Sequence, residues 1–245
     1  MCSSDLLSYA NAQNNRGLFY QALGEYDKAL GFFEEAEKLY RSEKSMNELS
    51  VVTNNLGLIY KLKGDHEKGL AFYRESERMC RSRGDQKGIA TSLSNLGLIH
   101  ETRGEYDEAL DCYQKAEAIA LSLGNKQGLS TYRSNLGLLY RTMGRYEEAF
   151  ASFKQAEAID RTLGDKPSLA VSLNNIGLVH KQKQEYDKAI SCYAEAQSIA
   201  MEVDDRKTLA AVFNNIAMIH DERGEIEKAI SFYEQAEQLD RKSVE

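Results

Sequence analysis

The chain has 245 residues, 42% hydrophobic and 28% charged, with one proline, no tryptophan and a formal net charge of −7. Charges of both signs are interspersed, which excludes the basic stripe of a nucleic-acid binder, and no apolar run nears the roughly 18 residues that span a bilayer. No secretory h-region is visible, and the balance suits a soluble helical array rather than a disordered chain.

At the N-terminus, Cys2-Ser3-Ser4-Asp5-Leu6 resembles translated sequencing-library adapter, as does Asp240-Arg241-Lys242-Ser243-Val244 at the other end. Residues 1–6 and 241–245 are therefore set apart as non-native ends of a fragment, and one array is expected over 7–240. Asp240-Arg241 also matches Asp160-Arg161 in register, as a native ending would.

From Asn11 the chain repeats every forty residues, with blocks starting near 11, 51, 91, 131, 171 and 211. Asn15-Arg16-Gly17-Leu18-Phe19-Tyr20 returns as Asn55-Leu56-Gly57-Leu58-Ile59-Tyr60 and as Asn95-Leu96-Gly97-Leu98-Ile99-His100. A fixed period of this size marks a solenoid, whose units bury their apolar faces only against neighbours. The first block lacks a Gly-Asp/Asn pair such as Gly84-Asp85 or Gly164-Asp165 and carries Ser42-Glu43-Lys44-Ser45 instead.

The third block shows the unit most clearly. Leu93, Leu96, Gly97, Ile99 and His100 share one face and predict a helix over Ser92–Arg103. Gly104 stops it, and Glu105-Tyr106-Asp107-Glu108 opens a second helix with acidic residues where the dipole favours them. Its apolar face is Ala109, Leu110, Tyr113, Ala116 and Ile119; Gly124 ends it, and Asn125 can cap the next helix. Each block is thus an antiparallel helical hairpin. Gly17, Gly57, Gly97, Gly137 and Gly177 fall in mid-helix, where glycine costs about 1 kcal/mol relative to alanine. The small residues Ala29, Gly69, Ala109, Ala149, Ala189 and Ala229 are expected opposite them, with close backbone contact as the compensation, and Ala217 shows that one methyl fits.

Leu-Gly-x-x-Tyr, a turn glycine, then Tyr-x-x-Ala-x-x-x-Tyr-x-x-Ala resembles the tetratricopeptide repeat over nearly the whole chain. Two departures stand out. The usual aromatic at the fourth position is replaced by Thr53, Leu93, Arg133, Leu173 and Phe213, and the period is forty rather than thirty-four. The longer period resembles kinesin light chains and arrays on bacterial signalling proteins. The resemblance implies an all-α, right-handed superhelical solenoid of about six hairpins, with the first helix of each on the concave side.

It also places Asn15, Asn55, Asn95, Asn135, Asn175 and Asn215 on that inner wall, with Leu58, Leu98, Leu138 and Leu178 one turn on. An amide matches the N–H and C=O of a peptide unit, so this ladder would hold an extended partner segment by its backbone. Alternatively, each asparagine bonds a neighbouring repeat's backbone and fixes the superhelix. Lys61, Arg141 and Lys181 make the middle of the groove mildly basic; a ligand-facing role and plain solvated charge both fit. The family's carboxylate clamp is absent, since its lysine positions carry Val51, Thr91, Thr131, Val171 and Ala211.

His100, His180 and His220 replace the aromatic at Tyr20, Tyr60 and Tyr140, and lie too far apart to share a metal. Cys2, Cys80, Cys112 and Cys192 contain no CxxC pair and read as small apolar residues of a reducing, cytoplasmic protein. No phosphate loop, HExxH or Gly-x-Ser-x-Gly occurs, so no catalytic residue, metal or cofactor is assigned. The leading function is a protein-interaction scaffold for a peptide of a partner protein, with no nucleic-acid or membrane partner. The runner-up is a regulatory or sensory segment of a larger signalling protein such as a kinase, cyclase or transcription regulator. A third reading is self-association through a last hairpin that lacks a capping helix.

Overall fold

A computed structural model of the chain describes residues 3–242, with side chains described for 4–239. The described residues form twelve α-helices. In chain order they are α1 (Ser3–Ala22), α2 (Tyr26–Ser42), α3 (Met46–Leu62), α4 (His66–Arg83), α5 (Gln86–Thr102) and α6 (Tyr106–Ser122). There follow α7 (Lys126–Thr142), α8 (Tyr146–Leu163), α9 (Lys166–Gln182), α10 (Tyr186–Glu202), α11 (Arg206–Glu222) and α12 (Ile226–Lys242). The expected non-native ends overlap this range only in part: residues 3–6 open α1, while 1–2 and 243–245 lie outside the described residues. No helix among the described residues is long and apolar enough to cross a membrane.

The chain forms two compact units, α1–α6 and α7–α12. Within each, consecutive helices pack as hairpins and consecutive hairpins stack, giving an all-α helical repeat. First helices also touch across the seam, α3 with α5, α7 with α9 and α9 with α11, so the first-helix side is the more closely spaced layer of each unit.

Caps set the helix boundaries. The carboxylates of Asp65, Asp85, Asp165 and Asp205 and the amide of Asn125 accept a backbone N–H three residues on, at the starts of α4, α5, α9, α11 and α7. The helix expected from Ser92 therefore begins at Gln86: the Asp85 cap starts it six residues earlier than the apolar periodicity alone indicates. Gly104 ends α5 with φ 75°, in the left-handed region. Gln184, with no glycine available, adopts φ 60° at the equivalent turn after α9. The atypical first-block turn is built the same way, Lys44 taking φ 55°.

The hairpin core is an aromatic ring laid on a glycine. Phe33, Tyr73, Tyr113, Phe153 and Tyr193 are fully buried. A Cβ at Gly17, Gly57, Gly97, Gly137 or Gly177 would come within 2.4–2.7 Å of the facing ring. The ring, rather than the alanine row alone, thus requires the glycine. The small row has a separate backbone contact, for a Cβ at Gly69 meets the Gly57 carbonyl at 3.3 Å and Ile99 Cδ1 at 2.8 Å. Ala217 is accommodated in the sixth hairpin, where Tyr233 is 40% exposed and has room to shift. On α12, Ile226 and Ile230 are exposed as well.

Buried polar groups link the two helices of a hairpin and continue into the next hairpin. In unit 1, Ser76 Oγ donates to the Ser50 carbonyl at 2.9 Å, and Ser92 Oγ donates to Ser76 Oγ at 3.1 Å. In unit 2 the fully buried Asp160 accepts from Ser130 at 2.5 Å and from Ser172 at 2.8 Å, while burial raises its carboxyl above the ordinary range. Exposed ion pairs recur at a spacing of thirty-six residues, Lys63–Asp27, Arg103–Glu67, Lys183–Glu147 and Arg223–Asp187. Being solvent-screened, they add little to stability.

Gly137→Ala is expected to destabilise the chain by about 1–3 kcal/mol through overpacking against Phe153, despite the better helix propensity of alanine. Thermal unfolding followed by circular dichroism checks it, and an unchanged melting temperature contradicts the ring-on-glycine account. Asp160→Asn is expected to be more stable than the parent at neutral pH. An acid whose folded pKa is raised contributes stability below its unfolded pKa, and that contribution is lost as pH rises through the folded value. The advantage of the asparagine variant should therefore vanish in the acid range, as urea unfolding at both ends of the pH series would reveal.

Candidate functional site

The asparagine ladder lies along the first helices, and it turns out to be bonded. Asn55 Nδ2 donates to Asn14 Oδ1 at 3.1 Å, Asn95 Nδ2 to Asn54 Oδ1 at 3.0 Å, and Asn215 Nδ2 to Asn174 Oδ1 at 2.8 Å. Each bond crosses a seam to the residue forty-one positions earlier, on the preceding first helix. The ladder therefore has a stacking role, through side-chain amides rather than the backbone contact considered above. An amide carries two donor hydrogens and an acceptor, so each of these three keeps a second N–H and its carbonyl oxygen. Asn15 is exposed; Asn135 is half-buried. Asn175 is 7% exposed.

Leu58, Leu98, Leu138 and Leu178 are half-buried beside the ladder, and the equivalent Leu18 and Met218 are exposed. A pit recurs at the seams between first helices. One of ≈ 220 Å³ is lined by Asn11, Asn14, Tyr40, Asn47, Glu48 and Val51. A second, of ≈ 280 Å³, includes Val51, Asn54, Lys87, Gly88 and Thr91; a third, also ≈ 280 Å³ and in unit 2, includes Thr131, Ser134, Asn135, Pro167, Ser168 and Val171. Corresponding lining residues are separated by multiples of forty, so one geometry is presented repeatedly. The sequence reading missed these pits because it used Val51, Thr91, Thr131 and Val171 only to reject a clamp. A signal was present: Val51 is 56% exposed and Val171 42%, and apolar residues repeating in register without a core role mark a surface.

The inward charges are less available than the sequence suggests. Lys181 is 12% exposed and paired with Glu222 at 2.9 Å. Lys61 is partly buried, and desolvation lowers its pKa against the opposing attraction of Glu101. Arg141 is half-buried. The three site cations do not form one basic patch within either unit.

The histidines hold turns. His100 Nδ1 lies 2.6 Å from Glu105 Oε2, His180 Nδ1 2.6 Å from Glu185 Oε2, and His220 Nδ1 3.1 Å from Glu225 Oε2. Those hydrogen bonds draw the carboxyls of Glu105 and Glu185 below their ordinary range. No group of three or more metal-ligating side chains occurs among the described residues. Burial raises the thiol of Cys112 to about 11 and lifts those of Cys80 and Cys192 as well, the opposite of a nucleophilic cysteine. Cys2 lies outside the described residues.

The sequence matches the profile of the tetratricopeptide repeat over residues 8–82, 48–122, 88–162 and 168–242. No curated protein sequence matches significantly. Among solved structures the fold is similar to BtubC (BKLC) from P. vanneervenii, with TM-score 0.72 and 17% identity over 99% of this chain and 92% of that one. It is similar to aspartyl phosphate phosphatase F from Bacillus subtilis, with TM-score 0.75 and 18% identity over 97% and 71% of the two chains. A third is the Rap conjugation gene regulator of the plasmid pLS20 in complex with the Phr* peptide, with TM-score 0.73 and 18% identity over 98% and 78%. At such identities the likeness is one of fold.

Asn55→Ala with Asn95→Ala is expected to destabilise unit 1 by about 0.5–1.5 kcal/mol per lost bond, leaving Asn14 and Asn54 unpaired. Urea unfolding measures this, and a midpoint equal to the parent's would mean that the amide bonds contribute nothing to stacking.

Proposed function

Since the chain belongs to the tetratricopeptide repeat family, a family of protein-interaction modules, we propose that its first-helix face binds an extended peptide segment of a partner protein. The observation that carries this reading is the pit recurring in one register, beside amides that retain an N–H and a C=O. Neighbouring helices pack about 8–10 Å apart and an extended chain rises about 3.3 Å per residue. A bound segment would then advance roughly three residues from one pit to the next. Val51, Thr91 and Val171, which border the pits, favour an apolar or small polar side chain there. The amides contact backbone, so they add affinity with little demand on ligand sequence. The proposed role is binding, with no chemical step assigned to any residue of this face.

The complex of a Rap regulator with a peptide supports the ligand class. The gene-regulator name of that protein also supports the second reading, a regulatory segment of a longer signalling protein such as a kinase, cyclase or transcription regulator. In that case, peptide binding here would control an activity encoded elsewhere in the same protein.

Val51→Arg with Thr131→Arg fills two pits from exposed positions and leaves the amide seams intact. Peptides selected on the parent by display are expected to lose binding to this variant, while the melting temperature stays unchanged. Retained binding would remove the pits from the site.

A further inference from the structure

An open cavity of ≈ 630 Å³ lies in unit 1 on the opposite side of the first helices, lined by α4, α5 and α6. Its apolar lining includes Leu93, Leu96 and Cys112, and His100, Arg74 and Arg78 also border it. The repeat register explains why it is open. Where this hairpin has Cys112, three others have phenylalanine, and each ring stacks on the residue equivalent to His100. Phe32 stacks on Tyr20 and Phe72 on Tyr60, both at 5.3 Å, and Phe232 stacks on His220 at 5.5 Å.

The other hairpins without that phenylalanine cover the position by other means. Arg145 lies over the Tyr140 ring at 4.6 Å. Phe150, from the preceding hairpin, meets His180 at 5.2 Å in the hairpin that carries Cys192. The position of Phe150 is occupied by Leu70 next to the third hairpin. Among the described residues His100 alone of the six has neither a ring nor a cation over it. Its Nδ1 stays bonded to Glu105, which fixes the ring in place.

The charge around the cavity is only partly compensated. Arg81 pairs with Glu77 at 2.7 Å and Lys115 with Asp111 at 2.6 Å. Arg74 and Arg78 are exposed and have no carboxylate within ion-pair distance among the described residues. The cavity thus offers a ring-sized apolar recess next to two unpaired guanidinium groups, a combination that suits an aromatic side chain flanked by acidic ones.

We propose that this cavity is a second binding site, distinct from the first-helix face, for an acidic segment of a partner protein that inserts a phenylalanine ring over His100. Phenylalanine is the ring that this fold itself places there in three hairpins, and the two arginines select the acidic flanks. The site stands whether or not the first-helix face binds peptide.

The test uses a fluorescein-labelled acidic pentapeptide with a central phenylalanine, the same peptide with alanine at the centre, and fluorescence anisotropy. The parent chain is expected to bind the first saturably. Binding should weaken by about tenfold or more when the central residue is alanine, in Cys112→Phe, which refills the recess, and in the double variant Arg74→Glu with Arg78→Glu. Val51→Arg with Thr131→Arg should leave binding unchanged, which separates this site from the first-helix face. Absence of saturable binding to the parent overturns the proposal, as does equal binding to Cys112→Phe and the double arginine variant. The two arginines are exposed, so their variant decides the matter even if Cys112→Phe fails to fold.

Discussion

An aromatic ring of the second helix pressed on a glycine of the first sets the distance between the helices of each hairpin, and every other feature is placed by that distance. With Tyr73 against Gly57, the two backbones approach closely enough that a β-carbon at Gly69 would lie 3.3 Å from the Gly57 carbonyl oxygen. The first helix then presents its ladder edge away from the ring and towards its neighbours. Mid-helix glycine is locally unfavourable, so it persists because no β-carbon fits beneath the ring. The sixth hairpin marks the boundary of this rule: Ala217 is tolerated where the ring is half out of the core.

Stacking of hairpins depends on weaker and more varied contacts. Amide pairs link first helices, serine hydroxyls or the Asp160 carboxylate fill the buried seam, and exposed ion pairs join the turns to the outer helices. Asp160 is the costliest of these, since a buried carboxylate must be held by hydroxyl donors alone. The same seams hold the pits, because first helices that touch at one level leave space at another. The pits and the stacking interface are therefore made of shared residues. Asn14 and Asn54 illustrate this: each accepts a ladder amide and also borders a pit.

Variation within the register carries the individuality of the chain. Where one hairpin departs from the common ring pair, an exposed recess follows unless another group compensates, as Phe150 does at His180 and Arg145 does at Tyr140. Histidine substitutes for tyrosine at this position because its Nδ1 gains the glutamate that opens the next helix. The three histidines are thus accounted for by local geometry. They lie one or more hairpins apart, and each faces its own carboxylate.

The repeat period, the two helices per block, the turn glycines and the cap at Asn125 were all legible in the sequence, because each depends on residues close together in the chain. The glycine row was legible as a packing requirement, but its partner was not. Periodicity shows that Gly137 needs space, while only the helix crossing shows that Phe153 rather than Ala149 fills it. The ladder was legible as a row of amides, yet its bonds join residues forty-one apart on different helices. That pairing depends on the offset between neighbouring hairpins, a tertiary quantity that no repeat alignment contains. The pits and the Cys112 cavity belong to the same class. They are spaces between helices, and the sequence names the side chains that border a space without stating which of them meet across it.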